Sequence, residues 1–336
     1  RDQQTLIIVK YKRSCNKPIL RQKNKSYIKI KMDHIEELKA CHIHVKDPEH
    51  VDTMLRKIMA DGPDKLQVVA DFDNTISSYT GANSYRTLSK YTHRGQICAT
   101  CHNVLEEGGI LPDFYKEKAL KLREKYFSIE TDPEMTIEQK TPYMIEWWTK
   151  AHELLNTCHI TKEAVQKMVT SSTAKLRDGC DWLFDECHRA SIPLLIFSAG
   201  VGDVIEEIIH QQSTFYDNMH IVSNYMDFDK EGKMVGFKND IIHIFNKNEN
   251  VIHQSDYFEN LKDRVNIILI GDSLGDLHMA DGAEHMENKL KIGFLNTKVD
   301  ESLELYKRKF DIVIVQDESL DLINAVIRKV VQSKGQ

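Results

Sequence analysis

Two carboxylates one residue apart, Asp71 and Asp73, follow the apolar run 66–70, and Thr75 stands two positions further on. One carboxylate can attack phosphorus to give an aspartyl-phosphate. A second can protonate the leaving oxygen and then take a proton from water. A lone Asp-x-Asp is common in turns after core strands, so the pair needs partners before it reads as a site. Three follow in the chain. Ser198 comes after the apolar stretch 193–197, a lysine stands near position 247, and Gly271-Asp272-Ser273-Leu274-Gly275-Asp276 comes after 266–270. Ser and Lys can hold the equatorial oxygens of a phosphoryl group, where charge must be compensated. Additional carboxylates offer the hard oxygen ligands that Mg²⁺ takes. In this order the four elements point to metal-assisted phosphoryl transfer. Lys238 rivals Lys247 on spacing, but Gly236-Phe237 before it reads as a hairpin edge, which favours Lys247.

Such chemistry requires one scaffold edge where all four elements meet. Short apolar runs suit parallel strands buried on both faces. In open α/β sheets, ligands bind beyond the carboxyl ends of those strands. Strands are predicted over 66–70, 193–197, 221–222, 266–270, 290–294 and 312–315. Helices are predicted over 33–40, 48–59, 202–211 and 319–331, with Asp47 as N-cap and Pro48 at the first position of the second. The alternation predicts an α/β fold, a doubly wound parallel sheet. Asp227-Phe228-Asp229 repeats the Asp-x-Asp pattern, but no long apolar strand precedes it, and Glu231-Gly232 reads as a hairpin turn.

Residues 112–177 read as mainly helical, with helices over 113–126, 137–155 and 161–176. A block of about 100 residues is too long for one crossover, so we expect an inserted helical cap over 78–177. The catalytic core then comprises 33–77 and 178–336. Residues 1–31 are basic and irregular and read as a loose tail.

No apolar run approaches the roughly 18 residues that span a bilayer. The N-terminus lacks a secretory pattern. A net charge of −6 argues against a general binder of nucleic-acid polymers. Seven scattered cysteines, an odd number, fit a reducing compartment, so a cytoplasmic location is expected. Cys98-x-x-Cys101-His102 invites two other readings, a zinc half-site or a haem attachment. Neither is favoured: no second Cys pair follows at zinc-finger spacing, and haem attachment needs an oxidising compartment.

The ordered motifs resemble those of haloacid dehalogenase superfamily phosphatases, which run DxDxT, Ser or Thr, Lys, and an acidic GDxxxD. The similarity is closer to the cytosolic 5′-nucleotidase III family. It is carried by residues 71–75, Cys98-Ala99-Thr100-Cys101-His102-Asn103, Ile129-Glu130-Thr131-Asp132-Pro133 and Glu146-Trp147-Trp148-Thr149-Lys150-Ala151-His152. Residues 196–203, Asn224-Tyr225-Met226-Asp227-Phe228, Phe245-Asn246-Lys247, 271–276 and Met279-Ala280-Asp281-Gly282 extend it.

The resemblance implies a Mg²⁺-dependent 5′-nucleotidase acting on nucleoside monophosphates. It implies Asp71 as nucleophile and metal ligand, and Asp73 as general acid and base with its carbonyl on the metal. Asp272 completes the metal site, with Asp276 nearby and Thr75 and Ser273 in support. Ser198, Ala199 and Lys247 would bind phosphate, and Glu130 the base, with Tyr79 where the family stacks an aromatic and His102 packed near it. Trp147 and Trp148 cannot share a helix face, so one is expected in the core and one at the site. Trp148 and Ala151 resemble the family branch that also takes 7-methylguanosine monophosphate; the other branch prefers pyrimidine monophosphates and carries tyrosine and serine there. N7-methylation makes the purine cationic, and a cation over an indole face gains about 0.5–2 kcal/mol. One departure stands out: residues 81–92 read as an insertion beside the base site. A monomer is expected. Two alternatives stay open, a pyrimidine-preferring enzyme with phosphotransferase activity and a catalytically silent nucleotide-binding protein.

Overall fold

The computed structural model describes residues 34–80, 97–132, 134–247, 257, 261–281 and 285–333. The basic tail and the insertion at 81–92 lie outside the described residues. Seven strands form one sheet: β1 (Ile43–Val45), β2 (Leu66–Ala70), β3 (Leu194–Val201), β4 (Met219–Asn224), β7 (Asn266–Gly271), β8 (Asn288–Leu295) and β9 (Ile312–Val315). Their order is β1-β9-β8-β7-β2-β3-β4, parallel throughout except that β1 runs antiparallel to β9. The separate pair β5 (Met226–Phe228) and β6 (Met234–Phe237) is an antiparallel hairpin. It contains the second Asp-x-Asp, where Asp229 accepts from the N–H groups of Glu231 and Lys233 at 2.9 and 2.8 Å.

β2 lies inside the sheet between β7 and β3, and every residue of β2 and β7 is buried. This explains their unbroken apolar runs, since helices cover both faces. Register then fixes the site. Ala70 lies opposite both Ile196 and Ile270, and the Asp71 N–H donates to the Ile270 carbonyl at 2.9 Å. Asp71, Ser198 and Asp272 therefore emerge side by side.

The helices are α1 (Pro48–Asp61), α2 (Cys101–Glu107), α3 (Asp113–Glu130), α4 (Ile137–Asn156), α5 (Lys162–Ser171), α6 (Cys180–Arg189), α7 (Gly202–Gln212), α8 (Val299–Lys309) and α9 (Asp321–Ser333). Asp47 caps α1 by accepting from the N–H groups of Glu49 and His50, both at 3.2 Å. Between β2 and β3 the described residues hold the turn Phe72–Ile76, the helices α2 to α6, and isolated bridges, but no strand of the sheet. One core cluster joins the helices to the sheet, with Val104, Leu105, Tyr115, Leu155 and Met168 buried together with Val68, Ile196 and Ile270.

Four expectations differ from the structure. Residues 33–40 give a single 3-10 turn, Glu36–Lys39, followed by the unforeseen strand β1. α2 was not among the predicted helices; Thr100 starts it by accepting from the Asn103 N–H at 3.4 Å. α5 stops at Ser171 rather than 176, because Ser172 turns back on the chain and its hydroxyl accepts from the Ala174 N–H at 3.2 Å. α3 runs four residues past 126, to Glu130.

The outgoing and returning crossings of the helical block run side by side. Ser77 bridges to Leu176, and the Ser78 N–H donates to the Lys175 carbonyl at 2.7 Å. Glu318 ties down the outgoing crossing by accepting from the N–H groups of Tyr79 and Thr80 at 3.0 and 3.2 Å.

Candidate active site

Beyond β2 the chain makes a tight turn, Phe72–Ile76, in which Asn74 adopts φ +60°. Asparagine tolerates that left-handed conformation better than most residues. Its N–H donates to the Ser77 hydroxyl at 2.9 Å, and the Ser77 N–H returns to the Phe72 carbonyl at 2.9 Å. The reversal brings Asp73 against the start of α2, where its carboxylate accepts from the Cys101 N–H at 2.9 Å.

Asp71 is buried and meets Lys247, whose ammonium bridges its carboxylate and that of Asp276, the latter at 2.9 Å. Asp276 is held in turn by the N–H and hydroxyl of Ser273 at 2.9 and 2.8 Å. Gly271 makes this possible: a Cβ there would lie 2.4 Å from the Asp276 Cβ. Oxygens of Asp71, Asp272 and Asp276 lie within 4.8 Å of one another.

Burial pushes the Asp71 carboxyl up to about 7; Asp276 and Asp73 add to the rise and Lys247 opposes it. Asp272 is raised well above the ordinary carboxylate range by burial, then by Asp71 and Asp276. Burial works against the charge on Lys247, but Asp276 and Asp71 outweigh it and hold the ammonium above its ordinary value. Three carboxylates around one ammonium leave excess negative charge on hard oxygen donors. That donor set fits a divalent cation such as Mg²⁺.

Ser198, Ala199 and Gly200 form the opposite wall at the end of β3. The Ser198 hydroxyl accepts from the Gly200 N–H at 3.0 Å. Asn224, at the end of β4, fastens this stretch of β3. Its amide donates to the carbonyls of Ala199 and Ile242 at 3.0 and 2.9 Å, while its oxygen accepts from the Ile242 N–H at 2.9 Å. The last residues of β3 and the segment leading to Lys247 are thus locked together. Lys238 lies past β6, with its N–H on the Tyr225 carbonyl at 2.8 Å, and is not in the cavity.

The cavity, of about 210 Å³, is lined by Asp71, Asp73, Asn74, His102, Glu130, Trp148, Ser198, Ala199, Gly200, Ile244, Lys247, Asp272, Ser273 and Asp276. Trp148 reaches it from α4 and donates its indole N–H to the Ala199 carbonyl at 3.2 Å. Its ring meets His102 edge to face at 6.2 Å. Trp147 points elsewhere and stacks on Tyr126 at 5.8 Å. Glu130 enters from the end of α3. Burial pushes its carboxyl up to about 7, opposed by Lys140, whose ammonium donates to the Glu130 carbonyl oxygen at 2.8 Å. Behind Trp148, His152 stacks on Phe237 at 3.6 Å, and burial, with His102, pushes its imidazole down to about 3.

Three expected site residues do not line the cavity. Tyr79 is held back in the outgoing crossing, with its N–H on Glu318 and its carbonyl accepting from the Cys98 N–H at 3.0 Å. Ala151 lies almost one turn beyond Trp148, where its short side chain does not reach the wall. Thr75 is fully buried within the turn Phe72–Ile76. Cys98 and Cys101 are buried free thiols. Conversely, Asn74, Gly200 and Ile244 line the wall without having been singled out, and Asn224 lay inside a quoted motif with no role attached.

Residues 86–331 match the family model of pyrimidine 5′-nucleotidase (UMPH-1). The chain belongs to the pyrimidine 5′-nucleotidase family. It is 46% identical over 294 residues to the 7-methylguanosine phosphate-specific 5′-nucleotidase of Gallus gallus, covering 88% of this chain and 98% of that one. The Homo sapiens protein of the same name is 40% identical over 298 residues, covering 89% and 95%. Among solved structures, cytosolic 5′-nucleotidase IIIB bound to cytidine superposes with a TM-score of 0.77 at 31% identity, covering 91% of this chain and 98% of that one. This 5′-nucleotidase is therefore a phosphoric monoester hydrolase on a haloacid dehalogenase-like fold, and its substrate is a nucleotide.

Proposed function

We propose that the enzyme hydrolyses 7-methylguanosine monophosphate and cytidine monophosphate to nucleoside and phosphate, as a cytoplasmic monomer. The reading is carried by one observation: Glu130 and Trp148 line the same cavity as Asp71 and Lys247. A cationic 7-methylguanine would face an indole and a carboxylate there, which suits it on both counts. The relatives' names support the purine, and the cytidine in the related structure supports the pyrimidine.

Asp71 attacks phosphorus and becomes phosphorylated. Asp73, pinned by the Cys101 N–H, gives its proton to the departing 5′-oxygen and then takes one from the water that hydrolyses the aspartyl-phosphate. Lys247 and the Ser198–Ala199 wall hold the non-bridging oxygens. Asp71, Asp272 and the Asp73 carbonyl would hold Mg²⁺, with Asp276 nearby. When bound, Mg²⁺ neutralises phosphoryl charge and fixes the phosphate against the attacking oxygen. Helices over 78–177 act as a cap that carries the base site, while 33–77 and 178–336 carry the chemistry.

Phosphate release from 7-methylguanosine, cytidine, uridine and adenosine monophosphates with Mg²⁺ tests this reading. Turnover of the first two ahead of adenosine monophosphate is expected. Cytidine and uridine monophosphates turned over with 7-methylguanosine monophosphate inert would move the enzyme to the pyrimidine-preferring branch.

A further inference from the structure

Among the described residues Arg177 is the largest fully buried side chain, 1% exposed, at the point where the chain returns from the helical block. A buried guanidinium brings five N–H donors, each costly if unmet. All five are met. Nε donates to the Thr75 carbonyl at 2.7 Å. One terminal nitrogen donates to the Asn74 carbonyl at 2.5 Å and the Asn296 side-chain oxygen at 3.0 Å. The other donates to the Asp317 carbonyl and faces Glu318 at 3.5 Å. The guanidinium carbon lies over the Phe294 ring, 4.0 Å from its centre. Asn296 completes the clasp by donating to the same Asn74 carbonyl at 3.1 Å.

The carbonyls so held belong to the turn that reverses the chain between Asp71 and α2, including Asn74 at its left-handed point. The Arg177 backbone adds a further tie, its N–H donating to the Ile76 carbonyl at 2.9 Å. Glu318, its partner, fixes Tyr79 and Thr80 on the outgoing crossing. No other buried cation touches this turn among the described residues.

We propose that Arg177 is a positioning residue for the reaction: its fork clamps the carbonyls of Asn74 and Thr75 to the hinge of the helical block and so aims Asp71 and Asp73 at phosphorus. The proposal rests on those aspartates being the reacting groups. Arg177 does not line the cavity and its hydrogen bonds reach none of the aspartates there, so its loss should act on the chemical step and spare binding. Misplacement of a reacting group by about 1 Å costs on the order of 100-fold in rate.

The test compares Arg177→Lys and Arg177→Ala with the parent, on cytidine monophosphate with Mg²⁺, with folding checked by circular dichroism and Tm. Lysine keeps the charge but cannot form the fork. The expected result is a kcat about 100-fold lower with KM changed by less than about threefold, and partial recovery of kcat in Arg177→Ala on adding methylguanidinium. A folded variant with near-parental kcat overturns the proposal, as does a rise in KM alone. Should neither variant fold, Asn296→Ala decides, because it removes one half of the clasp from a partly exposed position: a lower kcat at constant KM supports the proposal and an unchanged kcat overturns it. Asp71→Asn, assayed alongside, isolates the underlying reading. Turnover retained there overturns the nucleophile assignment whatever Arg177 does.

Discussion

At the scale of single residues, the side chains proposed to meet the base differ from those proposed to carry the reaction. Among the two tryptophans, Trp148 lines the cavity while Trp147 stacks on Tyr126. Trp148→Ala should cost 7-methylguanosine monophosphate about 10-fold or more in kcat/KM, and cytidine monophosphate much less, because only the former base is a cation. Equal losses would assign Trp148 to packing. Glu130 gives a pH signature. Its carboxyl titrates near 7 in the folded enzyme, so it is largely neutral at pH 5.5 and ionises as pH rises. A cationic base gains from the ionised form, so selectivity for 7-methylguanosine over cytidine monophosphate should rise between about pH 5.5 and 7. Comparing the two substrates cancels the titration of the phosphate they share, and Glu130→Gln should flatten the rise. Asp71, Asp73 and Asp272 were legible in the sequence because carboxylates after apolar runs carry chemistry in their type. Arg177 and Asn224 were not, because what they do is bind carbonyls far away in the chain, and no spacing rule encodes that.

Among elements, those with a strong period or a continuous apolar run were legible, and the weakly encoded ones were not. β2 and β7 are central and wholly buried, and their runs announce them. β1 has three half-buried residues at a sheet edge, too few to show a pattern. The end of α3 was equally faint, yet its last turn takes Glu130 into the cavity. The end of β7 carries the sharpest constraint. Gly271→Ala would drive a methyl into Asp276, breaking that residue from Lys247 and Ser273. The expected outcome is a kcat lower by about 100-fold together with a lower Tm. Full activity would show that Asp276 contributes nothing to catalysis.

For the whole molecule, the site's surplus negative charge is a stability liability. Asp71 and Asp272 have carboxyl pKa values raised above those of the unfolded chain, so the metal-free protein loses stability as pH rises above the ordinary carboxylate range. Chelation with EDTA should therefore abolish turnover and lower Tm, more at pH 8 than at pH 6. Asp272→Asn should raise the Tm of the EDTA-treated protein while remaining inactive; a Tm unaffected by EDTA would argue against a metal at this cluster. The shared core also predicts how the chain comes apart. Because Tyr115, Leu155 and Met168 are buried with Ile196 and Ile270, the helical block and the sheet should melt together, in one calorimetric transition.

β1 has a consequence for biosynthesis. Among the described residues its strand partner is β9, with Ile43 opposite Ile314, so the segment must wait for one made about 270 residues later. At elongation rates of about 5–20 residues per second, that wait lasts roughly 15 to 60 seconds. Throughout it the far edge of the growing sheet stays open, a ready template for pairing with another chain.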